Sequence, residues 1–264
     1  MKKNKKNHEN YNLYNEKQFD LVEAMKTLRT NLEYSSVSNR NRCIVITSAV
    51  PGEGKTNVTA NLGVSLTQIG YKVLLIDCDL RAPSLHKFFR ITHMTGVTSI
   101  LVKKMNIQDV EVNVTSANKN LFLIPSGPVP PNPIEMLSSN EMKKIIEETK
   151  KNYDYILIDA PPVGIMSDAA VLAPNVDGVI IVIKYASTPV EIIQEAVKNL
   201  KSVGANIIGT VITQIETRKL GGHYYKSKYK YYKEYEPSTE NISKNKGYKY
   251  YTKRYTNGLF SKDK

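Results

Sequence analysis

From residue 43 onward the chain repeats one pattern, a short run of apolar and often β-branched residues followed by a longer stretch with apolar positions at helical spacing. The runs CIVIT (43–47), KVLLID (72–77), LFLI (121–124), DYILID (154–159), GVIIVI (178–183) and NIIGTVI (206–212) are predicted strands. The stretches 55–69, 134–150 and 190–203 are predicted helices. Strands apolar almost throughout are those buried on both faces. Separated by helices, they predict an α/β fold, a mostly parallel sheet with helices on both faces. Upstream, Leu21, Met25, Leu28 and Leu32 recur at helical spacing, with Asp20 and Glu23 as a capping pair.

The two ends break the pattern. Residues 1–17 (MKKNKKNHENYNLYNEK) are polar, which predicts a flexible basic N-terminus. After about residue 216 the periodicity stops, and Lys and Tyr alternate with no apolar face to bury. The expected organisation is therefore a flexible segment at 1–17, one folded domain at 18–216 and a disordered tail at 217–264. A chain of 264 residues suits one large α/β domain.

Charge sharpens this division. Of the formal net charge of +12, residues 218–264 carry +9 (13 Lys/Arg against 4 Asp/Glu) and residues 1–17 carry +3. The 200 residues between are neutral. A basic balance often signals nucleic acid or an anionic membrane, but here it belongs to two ends around an enzyme-like body. Cys43 and Cys78 fall in predicted buried strands and form no metal-ligand pattern. No apolar run reaches the ~18–20 residues of a bilayer span and no signal-peptide core follows the basic start, so the expectation is a soluble, cytoplasmic protein unless a partner tethers it.

Three motifs carry chemistry. The first, ITSAVPGEGKT (46–56), leads from a predicted strand into a predicted helix. Glycines allow a tight turn whose N–H groups converge on phosphates, and the helix N-terminus adds partial positive charge. Candidate nucleotide contacts are Pro51, Gly52, Glu53, Gly54, Lys55, Thr56 and Asn57, with Lys55 on the β- and γ-phosphates and the Thr56 hydroxyl on Mg²⁺. Ala49 stands where the P-loop consensus has its first glycine. In the second motif, VLLIDCDLRAP (73–83), Asp77 and Asp79 flank one residue at a strand's carboxyl end. An extended strand would point both to one side, where a cation would relieve their repulsion and one could accept a proton from an attacking hydroxyl. The third, YDYILIDAPPV (153–163), ends a strand on Asp159, a Walker-B arrangement. Lys55, Thr56, Asp77, Asp79 and Asp159 together suit Mg²⁺-dependent phosphoryl transfer from ATP.

The set SAVPGEGKT, VLLIDCDLRAP, IPSGPVPPNPIEML and YILIDAPPV, in this order, resembles the bacterial tyrosine kinases of capsule and exopolysaccharide production. The resemblance covers about residues 18–216 and the tail, and its most specific parts are Pro130–Pro133 and Arg81-x-Pro83. It implies a P-loop NTPase-like kinase domain in which Lys55 and Thr56 bind ATP and Mg²⁺, Asp77 and Asp79 serve metal and tyrosine, and Asp159 completes the site. It also implies a ring-like homo-oligomer built through an E-x-x-R-x-x-R helix, read here as Glu23, Lys26 and Arg29, with lysine in place of the first arginine. Lysine keeps the charge but loses the bidentate fork. The implied partners are a membrane-embedded activator (a polysaccharide co-polymerase) and a cognate tyrosine phosphatase. At Thr213 the family usually has asparagine near the adenine.

The tail gives the resemblance its substrate. Ten of the 17 tyrosines fall after residue 220, at Tyr224, Tyr225, Tyr229, Tyr231, Tyr232, Tyr235, Tyr248, Tyr250, Tyr251 and Tyr255. Each phosphate would add roughly −1.5 to −2, so about five or six would cancel the tail's positive charge. The expected function is autophosphorylation of this cluster between protomers, regulating capsular or exopolysaccharide synthesis and export. No nucleic-acid partner is expected, although basic segments with interleaved aromatics can stack on single strands. The competing readings are a partitioning or positioning ATPase and a nucleotide-binding scaffold. The ATPases carry a K-G-G-x-G-K loop, where this chain has Val50-Pro51-Gly52.

Overall fold

The computed structural model describes residues 21–35, 42–92, 95–115 and 118–215. The N-terminal segment 1–17 and all ten tail tyrosines lie outside them. The chain divides into two units, Met1–Thr27 with Glu216–Lys264, and Leu28–Ile215. Of the first, residues 21–27 are described; they are helical and carry a Lys26–Glu23 ion pair of 2.6 Å. Helix α1 spans residues 21–35.

The second unit holds a seven-stranded sheet in the order β3-β4-β2-β5-β1-β6-β7. The strands are β1 Cys43–Ser48, β2 Val73–Asp77, β3 Val112–Thr115, β4 Asn118–Ile124, β5 Tyr155–Asp159, β6 Gly178–Lys184 and β7 Ile207–Thr213. All neighbours pair in parallel except β3, which runs antiparallel to β4 at the edge. The helices that follow α1 are α2 Lys55–Thr67, α3 Leu85–Phe89, α4 Val97–Lys103, α5 Ile107–Val110, α6 Pro133–Leu137, α7 Asn140–Asn152, α8 Asp168–Leu172 and α9 Val190–Ser202.

The apolar strand runs explain the layering. Strands β1, β2 and β5 are buried at every position, and alternation splits their residues between two faces. Cys43, Val45, Leu74, Ile76, Ile156, Ile158, Val179 and Ile181 join Met142, Ile145 and Ile146 of α7, Ala169 and Leu172 of α8, and Ala196 and Leu200 of α9 in one core. The intervening Ile44, Ile46, Leu75 and Leu157 are equally buried on the other face, where α2 packs across β1, β2, β4 and β5. Each such apolar side chain contributes about 1.5–3 kcal/mol. Cys43 and Cys78 are free thiols in this core, and burial pushes the Cys43 thiol up to about 12, so both are inert packing residues.

All six predicted strands form, within a few residues of their expected ends. Two features differ. The helix expected at 134–150 is broken into α6 and α7, because Ser139 is extended and its hydroxyl accepts the Met142 N–H, starting a new helix. Strand β2 stops at Asp77, so Asp77 and Asp79 do not lie along one extended strand. The chain turns there, with the Asp79 N–H donated to Asp77 Oδ1 and the Ala82 N–H to Asp79 Oδ1. Among the described residues no helix is long and apolar enough to cross a membrane.

Candidate functional site

The site lies at the carboxyl ends of the central strands, where ligands bind in open α/β sheets. Strand β1 sits between β5 and β6 and runs directly into the loop 49–54. Gly54 caps α2 at φ 89° and Gly52 sits at φ 80°, a left-handed backbone suited to glycine. The loop after β5 closes against this turn. The Val163 N–H donates to Ser48 O, and a Cβ on Gly164 would come within 2.3 Å of Ala49 O. Glycine at 164 is therefore required beside the alanine that replaces the consensus glycine.

Lys55 and Thr56, in the first turn of α2, meet Asp79 in the loop after β2 and Asp159 at the end of β5. Lys55 Nζ lies 2.7 Å from Asp79 Oδ2 and 3.6 Å from Asp159 Oδ1. Burial works against the charge on Lys55, but the Asp159 and Asp79 carboxylates outweigh it and hold its pKa above the ordinary value. Thr56 Oγ1 donates to Asp159 Oδ2 at 2.6 Å and stands 3.0 Å from Ser84 Oγ. Asp159 is fully buried, and desolvation raises its pKa although Lys55 and Thr56 pull it back.

Asp77 stands level with Asp159 on the adjacent strand. Its oxygens accept the backbone N–H groups of Asp79 (3.2 Å), Ser84 (3.1 Å) and Leu85 (3.0 Å), anchoring the loop that carries Asp79. Burial and the Asp159 charge raise its pKa. Lys55, Thr56, Asp79 and Asp159 thus converge, with Asp77 as the anchor behind them.

The other predicted residues fall into separate places. Pro51, Gly52 and Asn57 are exposed, while Glu53 is buried. The Glu53 carboxylate accepts from Val50 N, Lys184 N and Thr188 Oγ1. Thr213 Oγ1 donates to Glu53 O at 2.6 Å, which makes this departure from the family pattern a support of the loop. Glu23 and Lys26 pair with each other. Arg29 Nη1 donates to Ser65 O at 2.7 Å on α2. Three contributors were missed from sequence. Ser84 and Thr188 are ordinary loop hydroxyls without a motif, whereas Asp168, fully buried and 3.2 Å from Arg81 Nε, pairs with a residue already singled out.

The donors suit Mg²⁺-ATP. Asp159 Oδ1 is buried with no hydrogen-bond partner, beside the Thr56 hydroxyl and the Asp79 carboxylate. Among the described residues no group of three His, Cys, Asp or Glu forms a metal cage. Mg²⁺ in phosphoryl-transfer sites typically takes one or two protein ligands and completes its shell with phosphates and water, so none is needed.

Comparison with known proteins agrees. A family model described as an AAA domain matches residues 41–211. The chain is 39% identical over 210 residues to the tyrosine-protein kinase YwqD of Bacillus subtilis, covering 80% of this chain and 85% of that one. The chain belongs to the bacterial tyrosine kinase family. Its fold superposes on the kinase domain of the Escherichia coli tyrosine kinase ETK with a TM-score of 0.70 and 31% identity, covering 74% of this chain and 75% of that chain. The septum site-determining protein MinD of Pyrococcus horikoshii, solved with Mg-ADP, matches at TM-score 0.55 and 27% identity, covering 65% and 69%. The ETK kinase domain is thus nearer to this chain than that septum site-determining protein, in both TM-score and identity.

Proposed function

We propose that this chain is an ATP-dependent protein-tyrosine kinase that phosphorylates the tyrosines of its own C-terminal tail, between protomers. The observation that carries this reading is the convergence of Lys55, Thr56, Asp79 and Asp159 at the loop, in a chain whose own tail supplies ten tyrosines.

The triphosphate would sit on the N–H groups of the loop, and Lys55 would exchange its carboxylate partners for β- and γ-phosphate oxygens. That exchange frees Asp79 Oδ2. Thr56 Oγ1 with Asp159 would hold Mg²⁺, which neutralises charge on the phosphoryl oxygens when bound. Asp79 takes the proton of the attacking phenol, whose pKa near ~10 leaves it protonated at neutral pH. The phenol oxygen bonds to the γ-phosphorus as its bond to the bridging oxygen breaks, leaving ADP and phosphotyrosine. Asp77 keeps the 79–85 loop in place.

The family resemblance supports a role in regulating capsular or exopolysaccharide synthesis and export. Its further parts are a ring-like homo-oligomer, a membrane-embedded activator that recruits the chain to the inner face of the membrane, and a cognate phosphatase that resets the tail. Unmodified basic tails would dock on a neighbour or on anionic lipid, and phosphorylation would release them. Transfer between protomers is tested by mixing Lys55→Met, with its tail intact, with an active chain whose ten tail tyrosines are changed to Phe. With Mg-ATP and an activator segment present, phosphate on the Lys55→Met tail supports the reading. An unmodified tail in that mixture, alongside a tail that is modified in the unmixed wild type, contradicts it.

A further inference from the structure

Glu53 is an unexpected residue for an anion-binding loop. Its side chain is 1% exposed although Pro51 and Gly52 beside it are exposed, and among the described residues no Lys or Arg pairs with it. A buried carboxylate without a counter-ion persists only when fully hydrogen-bonded. Oε2 accepts the Val50 N–H at 2.9 Å, and Oε1 accepts the Lys184 N–H at 3.0 Å and the Thr188 hydroxyl at 2.5 Å. Two of the three donors come from the end of β6 and the segment leading into α9.

The main chain of the loop is held as firmly. Thr213 Oγ1 donates to Glu53 O, and Gln214 Nε2 donates to Gly52 O at 3.3 Å. A trans peptide points its N–H opposite to its C=O, and no cis bond is present among the described residues. Fixing the carbonyls of Gly52 and Glu53 toward β7 therefore turns the N–H groups of Glu53 and Gly54 the other way. Successive N–H groups aimed together form an anion-binding nest.

We propose that Thr188 is a positioning residue for the nucleotide: through its hydrogen bond to Glu53 it latches the phosphate-binding loop in its receptive shape before the nucleotide arrives. A loop held ready loses less freedom on binding, so the latch acts on affinity. Glu53 is the latch's carboxylate, held by three hydrogen-bond donors, two of them from the end of β6 and the segment leading into α9. The inference concerns nucleotide binding alone, so a binding measurement separates its failure from failure of the kinase reading.

The test compares Thr188→Val, which keeps shape and loses the hydroxyl, with Thr188→Ser, which keeps the hydroxyl. Mg-ATP affinity is measured by calorimetry, and amide exchange across 50–55 is followed without nucleotide. Thr188→Val should weaken Mg-ATP binding about tenfold, as expected for losing a hydrogen bond to a charged group, and should speed exchange of the Val50 amide, whose N–H is held by Glu53. Thr188→Ser should restore both. In turnover, Thr188→Val should raise KM for ATP more than it lowers kcat. Glu53→Gln should be worse, because its amide must turn an N–H donor toward one of the donors that now bond the carboxylate. Wild-type affinity and loop exchange in Thr188→Val would overturn the proposal. Should that variant not fold, Thr188→Ala carries the same expectation and the same contradicting result.

Discussion

Asp77 and Asp159 occupy the same level on adjacent parallel strands, and burial lifts the pKa of both above the ordinary carboxylate range. Below those raised values the two acids retain protons that a bound cation would displace. In the window between the ordinary value of 3.8 and these raised values, about 7 for Asp77 and about 6 for Asp159, the two acids bind more protons in the folded chain without nucleotide than in the unfolded one. The contribution of these two groups to stability is therefore greatest at low pH and is lost as pH rises through their folded pKa values.

Binding of Mg-ATP should reverse that sign, because the bound cation favours the ionised acids. Calorimetry at pH 6.5 in buffers of differing ionisation heat should detect protons released on binding, and affinity should fall as pH is lowered from 8 to 6. Proton uptake, or affinity flat across that range, would count against the placement of the acids.

Asp77→Asn tests the anchor. The amide cannot accept all three backbone N–H groups now bonded to Asp77, and leaving a buried donor unsatisfied costs about 1–3 kcal/mol. At roughly 2–4 °C per kcal/mol for a domain of this size, thermal melting should fall by several degrees. An unchanged melting temperature would show the loop held by other means.

Much of this was legible beforehand because apolar strands and the loop with its acids are local patterns. CIVIT, YILID and GVIIVI could bury only on both faces, and SAVPGEGKT could only join strand to helix. The remainder depended on contacts distant in sequence. Nothing near Glu53 signals that Thr188, 135 positions away, binds its carboxylate. Nor does VLLIDCD reveal that the strand stops at Asp77, since the turn is made by hydrogen bonds to Ala82, Ser84 and Leu85. Strand β3 was missed because VNVT is short and polar, formed by pairing with β4. The α6–α7 break rests on one serine hydroxyl.

Thr56→Val should separate metal from nucleotide. Removing the hydroxyl that meets Asp159 should raise the Mg²⁺ concentration for half-maximal activity at least about tenfold, in line with losing a charge-assisted bond. Thr56→Ser should stay within about twofold of wild type. A Mg²⁺ titration of turnover at saturating ATP reads this directly, and identical curves for Val and wild type would remove Thr56 from the metal site.

Arg29 and Lys26 should behave differently. Arg29 joins α1 to Ser65 of α2, so Arg29→Ala should lower stability by about 0.5–1.5 kcal/mol in denaturant titration. Lys26 makes an exposed pair within its own helix, so Lys26→Ala should change stability by less than about 0.5 kcal/mol. Sedimentation of the same variants shows whether either residue also serves a ring. Equal stability losses would contradict the distinction.

The central claim is that the Lys55 site transfers phosphate to the tail. Intact-mass and peptide mass spectrometry after incubation with Mg-ATP, with and without an activator's cytoplasmic segment, compares wild type with Lys55→Met. Phosphates on tyrosines 224–255 that vanish in Lys55→Met are the predicted result. ATP turnover with no phosphotyrosine, even with the activator segment present, would contradict it and favour a positioning ATPase.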